Sequence, residues 1–537
     1  MRTRPISLAL FATALMFAAG AAWAASYAPG KSKPVPGAEI FDNQHVLPLR
    51  IEIAPNELKA LQQDNRRFVR ATVREGTNVW KEVGLHVKGA AGSTRDLNDK
   101  PALTLAFAKF TPGQRFHGLR KIHLNNSVQD GSYLTENICS ELFRKAGVPT
   151  PRVSYATLEL NGKKKGLYVL KEGFTREMLG LYFQNPKGNL YDGGFLREVT
   201  DQLERDTDGE DDVRDWSDLK ALARAAQEPD LEKRWAELNQ VLDVDRFISF
   251  TALEVLTWDW DGYVLNRNNY RVYHDLDTGR MVFFPHGMDQ MFWETGHPML
   301  PPNRFNGLVA RAVIEAPQGR KLYRERFGQL FTNVFQIETL TNRVSELATL
   351  LRPYVGNTND YNNQEKRIRD LIVAQHGNFA RRLSEPPPQP LSFASGIAKL
   401  KAWEIPASMP DPANAKRDRA EVDGRKTLHI LTTTNTAASW RSTVLLSQGK
   451  YRFEALAKVA GVESLSNTNK GAGAGIRHSK PRLPRSNKLE GDSSWQPLTY
   501  DFQVPFEEDE IQLLCELRAA KGEVWFDLDS LRLVKLK

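Results

Sequence analysis

The sequence predicts an α+β domain followed by an all-β sandwich, on three observations. Up to about residue 383, short strands of alternating polarity are interleaved with stretches whose apolar residues recur at helical spacing. The run S-E-P-P-P-Q-P at 384–390 then breaks the chain, because consecutive prolines donate no backbone hydrogen bond and favour an extended, stiff connector. Beyond it the patterns are almost entirely strand-like. The resulting division is an export signal at 1–24, an N-terminal extension at 25–39, a first domain at 40–383, the linker at 384–390 and a sandwich at 391–537.

In chain order, the start M-R-T-R has two arginines, an apolar run follows from Leu8, and Ala22-Trp23-Ala24 closes the segment. That is the pattern of a cleaved export signal, and its apolar run is shorter than the roughly 20 residues a spanning helix needs. No later stretch is apolar enough for a transmembrane anchor, so the expected location is the bacterial periplasm or the exterior. Residues 40–74 read as strand, helix from Pro55, strand. V-G-L-H-V-K at 83–88 and P-A-L-T-L-A-F-A-K-F at 101–110 alternate like paired strands, with the small-residue loop G-A-A-G-S-T-R between them. A strand at 121–124 precedes a helix through L-T-E-N-I-C-S-E-L-F-R-K, which Gly147 and Pro149 stop. Two more strands, R-V-S-Y-A-T-L-E-L and G-L-Y-V-L-K-E, flank the turn N-G-K-K-K. Amphipathic helices follow at 219–226 and 231–242, and 305–383 reads as helical throughout.

The tail contains W-R-S-T-V-L-L, G-K-Y-R-F-E-A-L-A-K-V, W-Q-P-L-T-Y-D-F-Q-V, E-I-Q-L-L-C-E-L-R and E-V-W-F-D-L-D-S-L-R-L. Short alternating strands between glycine and charged turns predict a two-sheet sandwich. The tail resembles galactose-binding-like jelly rolls. Trp440, Trp495 and Trp525 are its candidates for stacking on a glycan, while the same residues also suit a sandwich core.

The formal charge of +8 falls to +6 when Arg2 and Arg4 leave with the signal. The surplus suits an acidic ligand such as a nucleotide. Acidic and basic residues are mixed along the chain, with no arginine-rich helix or aromatic-studded basic run, so no nucleic acid partner is expected. Cys139 and Cys515 fall in different domains and read as small buried hydrophobes. The acidic run D-T-D-G-E-D-D lacks the closing glutamate of an EF-hand and reads as a solvated loop.

Residues 258–292 concentrate the chemistry. Asp259, Asp261, Asn266, Asn268 and Asn269 precede a hairpin that returns to Asp289. Hard cations take oxygen ligands and an attacking hydroxyl needs an acceptor, so this segment suits magnesium-dependent phosphoryl transfer. Asp275, Asp277 and Gly279 in H-D-L-D-T-G are turn formers and are left outside the site. Metal-assisted phosphoester hydrolysis would use the same acids, but the histidine-rich clusters common in two-metal hydrolases are missing.

Taken together, K-G-A-A-G-S, K-P-A-L, F-H-G-L-R-K-I-H-L-N-N, L-T-E-N-I-C-S-E-L-F-R-K-A-G-V-P-T-P-R, L-N-G-K-K-K-G-L-Y-V-L-K-E, G-N-L-Y, N-R-N-N-Y-R-V-Y and P-H-G-M-D-Q-M-F resemble, in order and spacing, the CotH family of secreted and spore-coat protein kinases. The resemblance covers roughly residues 40–292, about half the chain. It implies an atypical two-lobed protein-kinase-like fold ahead of the sandwich, and transfer of the γ-phosphoryl group of ATP to serine or threonine of a protein substrate with Mg2+.

In that frame Asp261 is the catalytic acid that accepts the hydroxyl proton. Asn269 matches the family's metal-binding element, with Asn266, five residues past Asp261, as its rival, and Asp289 is the metal-binding aspartate. Gly89, Gly92 and Ser93 belong to a loop whose backbone N–H groups approach phosphate. Lys100 is the α/β-phosphate lysine, with Lys121 as alternative, and Glu136 pairs with that lysine. Glu136 is equally a favourable acid in a first helical turn. Glu172 marks the hinge and adenine pocket. Many relatives read W-D-x-D where this chain has His286-Gly287-Met288-Asp289, so Gly287 replaces an acid. That departure supports an alternative: a catalytically weak kinase-fold scaffold that binds at a cell surface or matrix through its tail.

Overall fold

A computed structural model describes residues 35–536 apart from 91, 207–214, 298, 300–304, 386–388, 406–413, 466–471 and 480–486. The predicted export signal and most of the acidic loop lie outside the described residues. Among those described, no helix is long and apolar enough to cross a membrane.

The first half is a closed barrel of seven strands: β1 (Leu47–Ile53), β2 (Val69–Glu75), β3 (Asn78–Lys88), β4 (Ala102–Ala106), β5 (Lys121–Asn125), β6 (Val153–Leu160) and β7 (Lys163–Glu172). They pair in the order β1-β2-β3-β4-β5-β7-β6, and β6 returns to β1 in parallel, with Leu47 opposite Ala156. Alternation explains the core: β1 buries every second residue, and Leu49, Ile51, Val73, Leu85, Leu103, Ile122, Leu158 and Leu170 fill the interior. Closure removes the open edges that a flat sheet would expose. Parallel closure across 100 residues has no local signature, and the sequence pattern does not predict it.

Helix Thr135–Lys145 lies outside the barrel, and its Ile138, Cys139, Leu142 and Phe143 join the core of the helical part. That core is organised by helix Val244–Leu256, which is buried from Phe247 to Leu256 and exposes only its first turn at Asp245. The region read as continuously helical is four helices, Leu308–Glu315, Pro317–Asn333, Ile337–Leu351 and Thr358–Ser384. A small sheet pairs β8 (Leu190–Asp192) and β9 (Glu204–Arg205) with the hairpin of β10 (Tyr270–Asp275) and β11 (Arg280–Pro285), in the order β11-β10-β8-β9. The hairpin closes on Asp275, whose carboxylate accepts from the Asp277 N–H and the Thr278 hydroxyl; Gly279 supplies a positive φ.

The tail is all-β, as predicted, and its strands are linked through one hydrogen-bonding path. Two long strands, β15 (Thr436–Ser464) and β17 (Gly491–Asp527), run through it, and the remaining strands, β12 (Ile397–Lys399), β13 (Ala415–Val422), β14 (Arg425–Thr432), β16 (Gly473–His478) and β18 (Arg532–Leu536), hydrogen-bond to them or to their neighbours as one seven-stranded sheet. Predicted strands merge because the chain continues extended through Gly449, where the partner jumps from Glu508 opposite Ser447 to Val504 opposite Gly449. The sheet encloses its own core of Leu428, Ile430, Phe453, Ile476, Leu513 and Phe526. Trp440 is not a surface residue: it is buried, and its indole N–H donates to the His429 carbonyl. Both cysteines are free and buried, and burial pushes both thiols well up.

Candidate active site

After Leu256 the chain turns sharply through Trp258, whose φ is +49°, and the Asp259 N–H donates to the Glu254 carbonyl. The Glu254 carboxylate in turn accepts the N–H groups of Tyr263 (3.2 Å) and Val264 (2.8 Å). It thereby caps the four-residue helix Tyr263–Asn266, whose own boundary residue Gly262 offers no side chain for the task. Gly262 must be small, since a Cβ there would meet Asp259 Oδ2 at 2.5 Å and Glu254 Oε2 at 2.7 Å.

This packing presents Asp261, and three amides hold it. Asn266 donates to Oδ1 at 2.7 Å, while Asn268 and Asn269 each donate to Oδ2 at 3.0 Å. A carboxylate accepting three N–H groups is fixed in orientation and kept an acceptor. Both predicted metal-ligand asparagines therefore spend their amide N–H groups on Asp261. Asn268, a third clamp, was visible in the sequence and given no role there.

β11 leads into Pro285-His286-Gly287-Met288-Asp289. The His286 N–H donates to the Asn269 carbonyl at 2.9 Å, stitching this turn to the Asp261 loop. Gly287 has φ +59°, and a Cβ on it would lie 2.7 Å from Asn269 Oδ1. An aspartate at 287 and Asn269 in its present place are incompatible. In this chain Asn269 Oδ1 occupies the space that a side chain at 287 would enter. Asp289 follows on a 3-10 turn, Met288–Gln290. Burial, then the carboxylates of Glu136 and Asp130, push its pKa up to about 7, with a backbone hydrogen bond and Lys171 opposing.

The lysine assignment needs correction. Glu136 pairs with Lys171, Nζ to Oε1 at 2.6 Å, and both side chains are buried. Lys100 instead donates to the Tyr133 hydroxyl at 2.6 Å and lies over the Tyr133 and Tyr168 rings, and burial pulls its pKa down to about 8. Lys121 pairs with Asp206 at 3.3 Å. Glu172 is not available to a ligand either: both its oxygens are taken by the buried Arg152 guanidinium, at 2.6 and 2.9 Å. The reason is β7, whose buried end turns Lys171 toward the helix carrying Glu136 and the adjacent Glu172 toward Arg152.

A continuous polar chain results. Lys88, at the end of β3, donates to the Asn125 amide oxygen, the Asn125 N–H2 donates to Glu136 at 2.6 Å, and Lys171 also reaches His286 Nδ1 at 3.2 Å. Burial and the nearby cations Lys171, Arg271 and Lys88 hold the His286 imidazole neutral, well below its usual pKa, so that Nδ1 accepts. Burial, then repulsion from Lys171, brings Lys88 down to about 8, with Glu136 and Asp289 opposing. Burial raises Glu136, but the charge of Lys171 and the hydrogen bond it donates outweigh this, and the carboxylate is held below its usual pKa. Lys88 and Lys171 thus form a cationic pair that acts on Asp289, a pairing that the sequence pattern does not reveal.

The Gly89–Gly92 loop follows Lys88, with φ of +111° and +83° at the two glycines. Its Ser93 hydroxyl closes the turn by accepting the Ala90 N–H at 3.0 Å, and the Ser93 and Thr94 N–H groups return to the Ala90 carbonyl. Ser93 is therefore spent within the loop. Gly92 lies against Gln129, where a Cβ would meet Nε2 at 2.6 Å.

Among the described residues no group of three or more His, Cys, Asp or Glu is arranged to hold a metal. The hard oxygens at Asp289 and Asn269 Oδ1 still suit a cation that takes its remaining ligands from phosphate and water, as magnesium does. A bound cation would offset the burial that, ahead of the Glu136 and Asp130 carboxylates, raises the pKa of Asp289.

The family model described as "CotH kinase protein" matches residues 85–379. Inner spore coat protein H of Bacillus subtilis (strain 168) is 24% identical over 339 residues, covering 58% of this chain and 89% of that protein. Among solved structures, the Helicobacter pylori proinflammatory kinase CtkA aligns with 56% of this chain and 98% of its own, at 7% identity and a TM-score of 0.26. The CBM22-1 xylan-binding domain of Paenibacillus barcinonensis Xyn10C aligns with 26% of this chain and 88% of its own, at 12% identity and a TM-score of 0.18.

Proposed function

The chain belongs to the CotH kinase protein family, and from that premise we propose that it is a protein kinase that transfers the γ-phosphoryl group of ATP to a serine or threonine hydroxyl. The observation that carries this reading is the buried Lys171–Glu136 ion pair, set in one polar chain with Lys88 and His286 and adjoining Asp289. A buried cation held between a carboxylate on another element and a neutral imidazole is positioned, at a desolvation cost, to meet a second anion.

In this reading the barrel and helix Thr135–Lys145 form the nucleotide-binding lobe, the helical part forms the second lobe, and the phosphates lie against Lys88 and Lys171. The acceptor hydroxyl oxygen bonds to the γ-phosphorus as the bond to the β-bridging oxygen breaks and ADP departs. The hydroxyl proton passes to Asp261, whose three asparagine donors fix the carboxylate and leave a lone pair on Oδ1 to receive it. Positioning of this kind dominates phosphoryl transfer, because its transition state is loose. Asp289 and Asn269 Oδ1 would hold the magnesium ion, which neutralises charge on the phosphate oxygens when bound. Gly287 supports activity here and does not argue for a scaffold, since it makes room for Asn269.

We also propose export through the N-terminal segment and glycan attachment by the tail. Trp495 and Trp525 are partly exposed there, although Arg425 and His429 each cover part of a ring.

The test is incubation of the mature protein with magnesium and γ-labelled ATP, beside Asp289→Ala. Label transferred to protein and lost in the variant is the expected result. Intact protein that neither binds nucleotide by calorimetry nor incorporates label overturns the proposal, and binding without transfer supports the scaffold.

A further inference from the structure

Two tryptophans flank the candidate site with their rings in solvent. Trp260 immediately precedes Asp261, and Trp293 follows Asp289 by four residues. They are 38% and 46% exposed, whereas Trp258 beside them is 1% exposed. The two indoles meet at a centroid distance of 6.3 Å with planes tilted by 51°. Both rings stay partly exposed although the helical core lies next to them. Exposed tryptophans in contact with each other are where binding energy concentrates when a partner covers them.

A cavity runs between Trp293 and Asp289, and Trp260 adjoins it through its ring contact with Trp293. Its walls include Asp289, Gln290, Trp293, Gln129, Gln364 and Arg367. Gln129 is the side chain against which Gly92 of the glycine loop packs, so the phosphate side and the tryptophan side meet around Asp289. Among the described residues, the amides of Gln129, Gln290 and Gln364 make no hydrogen bond to another residue, and the Arg367 guanidinium has only the Trp293 ring, 5.8 Å from its centroid. Unspent amides match the alternating C=O and N–H groups of an extended peptide, each carrying both a donor and an acceptor.

We propose that Trp260 and Trp293 form the docking platform for the polypeptide that carries the acceptor hydroxyl, receiving an apolar or aromatic side chain next to the acceptor serine or threonine. The proposal rests on the kinase reading and deepens it by naming the residues that select the sequence beside the acceptor hydroxyl. A polypeptide fits better than a glycan: the rings are inclined to each other, offering a wedge for one side chain in place of a common plane for successive sugar rings, and Arg367 already stands over one of them.

The experiment presents a peptide library with a fixed central serine, and a glycan panel, to the full chain with magnesium and γ-labelled ATP. It is repeated with Trp260→Ala, Trp293→Ala and the double variant, after circular dichroism confirms their fold. Wild type is expected to select Phe, Tyr, Trp, Leu or Ile at a position flanking the serine. The double variant is expected to lose that selection and to raise KM for the best peptide by about tenfold or more, while KM for ATP moves little and kcat at saturating peptide falls far less. Transfer to peptides with no apolar preference, an unchanged peptide KM in the double variant, or label on glycans in place of peptides overturns the proposal. Wild type that labels nothing defeats the kinase reading itself, and the docking proposal falls with it.

Discussion

Gly287 is the residue on which the interpretation of this site turns. As a missing acid it suggests lost function; as a left-handed glycine against Asn269 Oδ1 it is part of the built arrangement. Gly287→Ala is predicted to lower stability by about 1–2 kcal/mol, the cost of a left-handed residue with a Cβ. It should also lower kcat, because the added Cβ displaces Asn269 from Asp261; the checks are thermal unfolding and transfer rate. An alanine variant with wild-type kcat would show that Asn269 does not position Asp261. At this scale Asp261, Asn266, Asn269 and Asp289 were legible because the first three lie within nine residues and interact locally. Lys171 was not, since its partner Glu136 is 35 residues away and meets it only through tertiary packing. Lys88 could have been found: it directly precedes the glycine loop and ends an alternating strand.

Among elements, the Asp261 loop depends on a pair of buried acids. Asp259 is 1% exposed, its Oδ2 has no hydrogen-bond partner, and burial together with the charges of Asp261 and Asp289 pushes its pKa well up. Burial and Asp259 do the same to Glu254. Asp259 in the folded chain keeps a proton that the unfolded chain releases above about pH 4. Its contribution to stability is therefore complete below that pH and is lost as pH rises toward the folded pKa. Asp259→Asn removes this loss, so its melting temperature relative to wild type should increase between pH 5 and pH 8. A difference that stays constant or shrinks over that range would contradict the account. The strands and main helices of the first domain were readable from period and stop signals. The turn-rich Asp261 loop was not, because its shape comes from a carboxylate cap nine residues upstream, which leaves no periodic trace.

Across the whole molecule, three separate apolar cores fill the barrel, the helical part and the tail, with a smaller cluster under the β10–β11 hairpin. The proline run announced the change of composition between helix and strand, whereas barrel closure and the merging of the tail strands required three-dimensional pairing. The first two cores meet at the site, where a lysine from the barrel, Lys171, is held by Glu136 beside the Asp289 turn. The most direct measurement compares γ-phosphoryl transfer by the wild type, Lys171→Met and Lys100→Met under saturating magnesium and ATP. Loss of about a hundredfold or more in Lys171→Met, with Lys100→Met within a few fold of wild type, is the predicted result, because a phosphate-directed cation acts on the transition state. Equal rates for Lys171→Met and wild type, or loss in Lys100→Met alone, would contradict it.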